Sequence, residues 1–304
     1  MKLCSFLPKA GPSQLEPSGL HTPLAPRPGV IFDDGIADLQ ALEQVAERTL
    51  MALLAAGPDA LESLAVLGGI APRLDPDTVR LTAPIPRPGK LLGIGLNYLD
   101  HVRETGREPP AHQIWFNKQT TCVIGPNDPI RIPPVSDMVD YEGELAVVIG
   151  RRCRRVPAAR AREVIAGYMV GNDVSVRDWQ RRTPTMILGK SFDSHGPQGP
   201  WMVTADDIPD PQALRIRTWV NDDLRQDAST AEMIFSIAEQ IETLSTVCTL
   251  EPGDVIFTGT PAGVGMAMDP PGFVKAGDTV RIEISGIGTL SNPVTADADD
   301  VLIE

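Results

Sequence analysis

Hydrophobic and polar residues repeat with different periods along the chain, and these periods predict where helices and strands lie. Apolar residues between positions 39 and 54 fall on one helical face, which predicts a helix that Gly57 and Pro58 end. From about residue 90 onward, short β-branched runs replace this period and predict strands. A helix over residues 229–244 interrupts those strands. The pattern therefore predicts an α+β protein that is mainly β.

The residues that precede position 90 have a different pattern. Residues 28–39 predict a β-hairpin around an Asp-Gly turn, and residues 59–67 predict a second, shorter helix. Residues 72–88 contain five prolines among few apolar residues, a composition typical of a linker. We therefore expect a small N-terminal α+β domain over residues 1–85 and a larger domain over residues 86–304.

The most informative strand pattern covers residues 140–149, where Glu142-Gly143-Glu144 leads into an apolar, β-branched run. Side chains alternate along a strand, so the two glutamates point to the same side. Two carboxylates beside a core repel each other and lose hydration, and a divalent cation offsets both effects. Oxygen ligands alone suit Mg²⁺ or Mn²⁺, and Asp173, which ends the next apolar run, is the candidate third ligand.

A second interpretation of this strand stays open. Glu142 and Glu144 would also fit an edge strand on which they form salt bridges with Arg151 or Arg152. The basic cluster at residues 151–155 is itself typical of a solvated turn. The pattern alone does not choose between a metal site and ordinary ion pairs.

His101 and Glu104 lie three residues apart in a segment that predicts one or two helical turns, so they share a helical face. A carboxylate beside an imidazole raises its basicity and fixes its tautomer. The pair is therefore a candidate base that takes a proton from water. Taken by itself, the spacing is more typical of an ordinary pair on a surface helix.

Further polar residues are candidates for binding an anionic substrate, each with a solvent-exposed role as the alternative. Arg177 and Gln180 would clamp a carboxylate and a carbonyl. Lys190 would be held charged beside the three carboxylates and would polarise a substrate oxygen. The Gly-rich run at residues 258–265 lacks the Lys-Ser/Thr of a Walker loop, but its backbone N–H groups and Thr260 would bind a carboxylate.

Composition excludes several classes of protein. The net charge of −13 argues against nucleic acid as a partner, because phosphate binding needs a basic surface. The four cysteines form no CxxC pair and the four histidines lack zinc spacing, so neither a disulfide framework nor a zinc site is expected. The first residues lack the apolar core of a signal peptide, and no apolar run has the length of a membrane span. We expect a cytoplasmic protein without membrane contact.

Seven short motifs occur together in one order along the chain: Asn97-Tyr98, His101 with Glu104, Tyr141-Glu-Gly-Glu144, Asn172-Asp173, Arg177-Asp178 with Gln180, Gly189-Lys190-Ser-Phe and Thr258-Gly-Thr-Pro-Ala-Gly-Val-Gly265. With these motifs, the sequence resembles the fumarylacetoacetate hydrolase superfamily over about residues 89–295. The resemblance implies a β-roll catalytic domain after a small N-terminal domain, a bound Mg²⁺ or Mn²⁺, and a homodimer. It makes Glu142, Glu144 and Asp173 the metal ligands. It assigns substrate contacts to Tyr98, Arg177, Gln180 and Thr260, and catalysis to Lys190 and to a His101–Glu104 dyad on a mobile lid.

The resemblance leaves the reaction open. The expected function is cleavage of the C–C bond of a 2,4-dioxo acid of the acylpyruvate or fumarylpyruvate type through a metal-bound enolate, with the dyad activating water. The alternatives are an isomerase, tautomerase or decarboxylase that acts on oxaloacetate or on a 2-oxo-dioate of aromatic catabolism. A non-catalytic member that binds a metal or a dicarboxylate is a further alternative, which the intact dyad and Lys190 disfavour. The lid, about residues 103–115, would select the acyl group.

Overall fold

The computed structural model of the protein describes residues 1–9, 25–298 and 301. Residues 10–24, part of a stretch with little sequence signal, lie outside the described residues. In the described part strands outnumber helices, as the pattern predicts. The strands are β1 (Lys2–Pro8), β2 (Arg27–Phe32), β3 (Gly35–Asp38), β4 (Arg73–Leu74), β5 (Val79–Thr82), β6 (Leu91–Gly95), β7 (Ile114–Asn117), β8 (Val123–Ile124), β9 (Ile130–Ile132), β10 (Val139–Asp140), β11 (Gly143–Ile149), β12 (Ile165–Asn172), β13 (Ser175–Val176), β14 (Gly196–Thr204), β15 (Arg215–Val220), β16 (Asp223–Ser229), β17 (Val255–Phe257), β18 (Thr279–Ile284) and β19 (Gly288–Ala296). The α-helices are α1 (Leu50–Ala55), α2 (Pro58–Ile70), α3 (Leu99–Glu104), α4 (Arg177–Gln180), α5 (Ile187–Lys190) and α6 (Ile237–Val247).

One large sheet contains the N-terminal strands together with strands from the middle of the chain. Its main path runs β4-β3-β2-β1-β14-β12-β11-β17-β6-β7, with β5 paired to β1 and β8 paired to β14. β11 is a central strand, antiparallel to β12 on one side and to β17 on the other. β1 is antiparallel to β14, with Leu3 opposite Met202. Strands from both sides of the expected domain boundary at residue 85 therefore belong to the same sheet.

Each face of β11 contributes to a different core because its side chains alternate. Leu145, Val147 and Ile149 pack in a core with residues of a second sheet, ordered β16-β15-β18-β19-β9, and of α6. Ala146 and Val148 pack in a core that is shared with α1 and the N-terminal strands. Burial on both faces, worth about 1.5–3 kcal/mol for each large aliphatic side chain, fixes the position of this strand.

The predicted helix over residues 39–54 is wrong. A single 3-10 turn at Leu39–Ala41 is capped by the Asp38 side chain, and α1 begins only after Thr49. The Thr49 hydroxyl accepts a hydrogen bond from Ala52 N, as an N-terminal cap does. The apolar residues of the run are mostly buried nevertheless. Their spacing indicated burial, whereas the residues that cap helices divided the run.

The predicted linker over residues 72–88 is also wrong. It contains β4 and β5, and β5 pairs with β1 in an antiparallel register that sets Ser5 opposite Thr82. The Ser5 hydroxyl donates a 2.9 Å hydrogen bond to Pro84 O. The predicted helix over residues 229–244 begins later than expected, because α6 starts only at Ile237. None of the helices in the described residues is long and apolar enough to cross a membrane.

Candidate metal centre and active site

The acidic side chains predicted to bind a metal meet where β11 begins and β12 ends. Glu144 belongs to β11, Glu142 immediately precedes it, and Asp173 immediately follows β12. Antiparallel pairing sets Glu144 opposite Gly171, and Asp173 N donates a 2.9 Å hydrogen bond to Glu142 O. The three carboxylates each offer an oxygen within 4.8 Å of the others, and all three residues are buried.

Gly143, between the two glutamates, is required by packing on the other side of the strand. A Cβ at this position would overlap the Thr218 hydroxyl of β15. Gly143 N also donates a 2.9 Å hydrogen bond to Gln226 Oε1 of β16. The Glu-Gly-Glu sequence therefore presents two carboxylates on one side and allows close contact with the second sheet on the other.

Three buried cations contact two of the carboxylates. Lys190 Nζ lies 2.7 Å from Glu142 Oε2 and 2.5 Å from Asp173 Oδ2. Lys118 Nζ contacts the other oxygen of Asp173 at 2.7 Å. Arg177 Nη1 contacts Glu142 Oε1 at 2.7 Å. Glu142 and Asp173 are thus each held by two cationic contacts.

Glu144 has no cationic contact of this kind with the described residues, and its Oε2 accepts a 2.6 Å hydrogen bond from Gly259 N. Burial, followed by the charges of Asp173 and Glu142, raises the pKa of Glu144 well above its ordinary value. Burial acts in the same direction on Glu142, but Lys190 and the neighbouring Arg177 outweigh it and lower the pKa of Glu142. Glu144 is therefore the carboxylate of the three whose negative charge the surrounding protein stabilises least.

This arrangement fits a divalent cation bound by oxygen. The three candidate ligands are carboxylates, without histidine or cysteine, which is a donor set that Mg²⁺ and Mn²⁺ accept. A cation next to Glu144 would offset both its burial and the repulsion from its neighbours. The geometry therefore supports a divalent-metal site at the three residues that the sequence indicated.

The His101–Glu104 pair predicted from its spacing forms on α3. His101 Nδ1 and Glu104 Oε1 are 2.7 Å apart, and His101 is buried. Because a carboxylate can only accept, this contact places a proton on Nδ1 and leaves Nε2 as an acceptor. The other oxygen of Glu104 accepts a 2.8 Å hydrogen bond from Gly263 N, which ties α3 to the Gly-rich loop.

The Gly-rich loop, residues 258–265, binds carboxylates of the protein itself. The φ of Gly263 is +106°, and a Cβ there would overlap the Arg225 carbonyl, so only glycine fits. The N–H groups that we expected to bind a substrate carboxylate are thus already used within the protein. The three hydrogen bonds are Gly259 N to Glu144 Oε2 at 2.6 Å, Gly263 N to Glu104 Oε2 at 2.8 Å and Gly265 N to Asp140 Oδ1 at 2.8 Å.

A cavity of about 780 Å³ lies beside these groups. Its lining includes both buried charged residues and exposed residues. Asp173 is not part of the lining, because its side chain is enclosed between Lys118 and Lys190. The predicted site residues that line the cavity are His101, Glu104, Glu142, Glu144, Arg177, Gln180, Lys190 and Thr260.

Gln180 and Thr260, both assigned to substrate contact, differ in how many of their hydrogen-bonding groups are already used within the protein. Gln180 Oε1 accepts a 3.0 Å hydrogen bond from Arg177 Nη1, and its NH₂ group makes only a weak contact with a methionine sulfur. The Thr260 hydroxyl donates to Gly143 O at 3.0 Å and accepts from Gln226 Nε2 at 2.8 Å. Gln180 is therefore the better placed of the two to donate to a substrate.

Tyr98 is not among the residues that line the cavity. It precedes α3, and its side chain is buried in the core between the two sheets. Burial, and then the charge of Glu144, raises the pKa of Tyr98. Its predicted contact with the substrate therefore rests on the sequence resemblance.

Asp140 and Lys118 are two buried charged residues that the sequence analysis missed. Asp140 accepts hydrogen bonds from Arg177 Nε at 2.8 Å and from Met266 N at 3.0 Å, so it holds the guanidinium against the Gly-rich loop. Lys118 donates to Asp173, as described above, and to Val174 O at 3.2 Å. The sequence contained a feature that could have indicated each of them. Lys118 follows a short apolar run and Asp140 directly precedes the motif with the two glutamates, and a charge is unusual beside a buried segment.

The interpretation of the glutamates as edge-strand residues paired with arginines of the basic cluster is wrong. β11 has a strand on either side. Arg152 pairs instead with Glu251, at 3.1 Å on the surface, and Arg151 is exposed. The turn after β11 is solvated, as its composition predicts.

Comparison with known proteins agrees with these motifs. The family model described as "Fumarylacetoacetate (FAA) hydrolase C-terminal" matches residues 90–295, which is more than half of the chain. The protein belongs to the fumarylacetoacetate hydrolase family, as the sequence resemblance predicted.

Individual relatives carry out different reactions. The chain is 43% identical over 275 residues to the mitochondrial oxaloacetate tautomerase fahd2 of Xenopus laevis, covering 89% of this chain and 86% of the relative. The structure of maleylpyruvate hydrolase from Sphingobium sp. SYK-6, solved with manganese(II) and pyruvate, has a TM-score of 0.78 and 31% identity, covering 98% of this chain and 100% of that one. The 5-carboxymethyl-2-hydroxymuconate delta-isomerase of Mycobacterium smegmatis has a TM-score of 0.76 and 37% identity, with the same coverage.

Proposed function

We propose that the protein is a divalent-metal-dependent hydrolase that cleaves a carbon–carbon bond of a 2,4-dioxo acid of the acylpyruvate or fumarylpyruvate type. The observation that carries this proposal is the 2.7 Å contact between His101 and Glu104, which line the same cavity as Glu142 and Glu144. Hydrolysis needs a base that takes a proton from water, and decarboxylation does not. A buried base beside a candidate metal site therefore favours hydrolysis over decarboxylation.

Glu142, Glu144 and Asp173 would hold Mg²⁺ or Mn²⁺, which when bound supplies a Lewis acid for the carboxylate and 2-oxo oxygen of the substrate. The cations around these ligands have a separate role. Lys190 and Arg177 lower the pKa of Glu142 against the effect of burial, which keeps this carboxylate ionised. Lys190 itself stays protonated, because the charges of Asp173 and Glu142 outweigh burial and raise its pKa.

The dyad would start the reaction. His101 Nε2 accepts a proton from a water molecule, while Glu104 stabilises the resulting charge on the ring through Nδ1. The water oxygen adds to the distal carbonyl carbon, and the bond between that carbon and the pyruvyl carbon then breaks. The products are a carboxylic acid and pyruvate, whose methyl carbon receives a proton.

Lys190 and Gln180 are the two candidates for donating to the oxyanion that forms at the distal carbonyl. Lys190 Nζ already contacts both Glu142 and Asp173. The NH₂ group of Gln180 is less committed and lines the cavity, so we assign this donation to Gln180 and the electrostatic role to Lys190.

The proposal is tested by incubating the protein with a panel of 2,4-dioxo acids and measuring pyruvate release with Mg²⁺, with Mn²⁺ and after chelation. We expect one pyruvate and one carboxylic acid for each substrate molecule, and only when a divalent ion is present. Full activity after chelation would contradict the metal requirement, and no turnover of any 2,4-dioxo acid would contradict the hydrolase assignment.

Oxaloacetate tautomerisation is a second candidate, supported by the 43% identity to a relative of that name. The same dyad would take a proton from C3 of the keto form, and the oxygen on C2 would receive a proton to give the enol, without water attack or C–C bond cleavage. The measurement that separates the two is the interconversion of enol and keto oxaloacetate without release of pyruvate. Such activity, with 2,4-dioxo acids left intact, would favour this candidate.

Assembly, location and domain structure are further parts of the proposal. We propose a cytoplasmic homodimer in which a small domain over residues 1–85 precedes a β-roll catalytic domain over residues 86–304. The sequence resemblance supports the dimer, the family match over residues 90–295 supports the catalytic domain, and the widely spaced cysteines support the location. A monomer mass by light scattering at working concentration would contradict the dimer.

A further inference from the structure

Tyr141 belongs to the motif that contains Glu142 and Glu144, but the proposed reaction gives it no role. It lies between β10 and β11, and its ring is buried in the core between the two sheets. Its hydroxyl donates a 2.9 Å hydrogen bond to Gly263 O in the Gly-rich loop. A phenylalanine ring would fill the same space in the core, so packing alone does not account for the hydroxyl.

The residue that Tyr141 binds also contacts the dyad. Gly263 N donates a 2.8 Å hydrogen bond to Glu104 Oε2, and Glu104 Oε1 lies 2.7 Å from His101 Nδ1. Within the described residues, the Tyr141 hydroxyl is the only donor that reaches Gly263 O. A continuous chain of contacts therefore connects the segment that carries the candidate metal ligands with the candidate base.

Gly263 needs an anchor because glycine restricts its own backbone least. Its φ is +106°, and glycine adopts many other values as readily. Its N–H and its carbonyl belong to the two planar peptide groups on either side of the Cα, which turn relative to each other through φ and ψ. A hydrogen bond that holds the carbonyl therefore also limits the directions in which the N–H can point.

We infer that Tyr141 is a positioning residue for the proposed reaction: its hydroxyl orients Gly263, and Gly263 N holds Glu104 against His101. This inference rests on the proposed function, which makes His101 the base. Tyr141 does not line the cavity, so it acts through Gly263 and does not contact the substrate. Burial, and then the charge of Asp140, raises the pKa of Tyr141, so its hydroxyl keeps the proton that it donates.

Tyr168 provides a matched control. It is buried in the same core as Tyr141 and does not line the cavity. In the described part of the chain its hydroxyl has no hydrogen-bond partner. Tyr168→Phe therefore removes a buried hydroxyl from the same core without breaking a hydrogen bond, whereas Tyr141→Phe removes the contact with Gly263.

The first test is steady-state kinetics with the 2,4-dioxo acid that the unchanged protein cleaves fastest. Tyr141→Phe should lower kcat about fivefold, the effect of losing one neutral hydrogen bond. It should leave KM and the rise in melting temperature with Mn²⁺ unchanged, and Tyr168→Phe should keep all three values. In a Glu104→Ala background, which has no carboxylate for Gly263 to hold, Tyr141→Phe should cause no further fall in kcat.

The second test does not depend on activity. Side-chain ¹⁵N NMR signals of His101, assigned by comparison with His101→Ala, report which ring nitrogen carries the proton when the ring is neutral. We expect the proton on Nδ1 in the unchanged protein and in Tyr168→Phe, because Glu104 accepts it there. In Tyr141→Phe part of the population should carry the proton on Nε2, since Glu104 is held less firmly.

The outcomes separate this inference from the proposed function. An unchanged kcat or an unchanged His101 tautomer in Tyr141→Phe would overturn the positioning role. An equal fall in kcat in Tyr168→Phe, or in the Glu104→Ala background, would also overturn it. If the unchanged protein cleaves no 2,4-dioxo acid but the tautomer still changes in Tyr141→Phe, the proposed hydrolysis is wrong and the contact chain from Tyr141 to His101 stands.

Discussion

The inner wall of the cavity and the side formed by α3 face the same space but are held in different ways. The inner wall presents Glu142 and Glu144 at the start of β11, which has paired strands on both sides and apolar cores on both faces. α3 is a helix of six residues without a side-chain cap at its start. It is attached by the buried Val102 and by the hydrogen bond from Gly263 N to Glu104.

This difference separates two tasks that the proposed reaction requires. The candidate metal ligands lie in the part of the sheet that burial fixes most strongly, where a shift would cost apolar contacts on two faces. The candidate base, His101, lies on a short helix that few contacts fix. Metal binding should therefore depend on the inner wall alone, and proton transfer should depend on α3 as well.

The largest effect is expected from Glu144→Ala. Removing one of three candidate ligands should abolish metal-dependent activity and the rise in melting temperature that Mn²⁺ produces, which corresponds to about 2.7 kcal/mol at a hundredfold excess over Kd. Thermal unfolding with and without Mn²⁺ measures this. Glu163→Ala, which changes an exposed glutamate paired with Arg160, is the control. An unchanged Mn²⁺ shift in Glu144→Ala would place the metal elsewhere.

His101→Ala tests the α3 side. Loss of the general base should reduce acylpyruvate cleavage by roughly 10²–10⁴-fold. It should leave the Mn²⁺ shift intact, and any decarboxylation of oxaloacetate should largely survive, because that reaction needs no water activation. Asp100→Asn, on the exposed side of the same helix, is the control. If cleavage continues at the original rate, the dyad is only a structural pair and the comparison fails.

Glu104→Gln should have a smaller effect, on the order of tenfold. The amide can accept one of the two hydrogen bonds that Glu104 accepts from His101 and Gly263, but its NH₂ group opposes the other donor. The charge that stabilises the protonated ring is also lost. Steady-state kinetics should show the fall mainly in kcat. A loss as large as that of His101→Ala would mean that Glu104 mainly positions the helix.

The smallest effect concerns the scaffold behind both regions. His195 is fully buried, its Nε2 lies 2.8 Å from Arg131 O, and burial lowers its pKa from 6.5 to about 3. Between these values only the unfolded state binds the proton, so stability is complete above pH 6.5 and falls as the pH drops towards 3.

Urea unfolding between pH 4 and 7 should therefore show a loss of up to about 1.4 kcal/mol per pH unit that is absent in His195→Gln. The exposed His112 provides the control, since His112→Gln should keep the slope of the unchanged protein. The same slope in His195→Gln would assign the acid sensitivity to other groups.

The sequence predicted the proximity of the candidate site residues better than it predicted the fold around them. Glu142 and Glu144 are two residues apart, as on one side of a strand, and His101 and Glu104 are three apart, as on one face of a helix. A local period was therefore enough to place each pair together. The partners of these residues come from distant positions. Lys118 reaches Asp173 across 55 residues, and no local pattern contains that contact.

The N-terminal region shows the same limit more strongly. Thr49 and Asp38 cap short helical turns inside a run whose apolar spacing predicted one continuous helix. The proline-rich residues 72–88 form strand pairs because β1 and β3 are available to them, which composition alone does not reveal. Apolar spacing predicted which residues are buried, whereas conformation depended on caps and distant strands.

The pairing of β1 with β14 has a consequence for shortening the chain. A protein that started at residue 86 would leave one edge of β14 with unpaired N–H and C=O groups beside Met202. It would also uncover the face that Ala146 and Phe257 share with the N-terminal core. An open edge next to an apolar face is a template for strand addition by another molecule. We therefore expect the shortened protein to aggregate, even with every candidate metal ligand and the whole dyad retained.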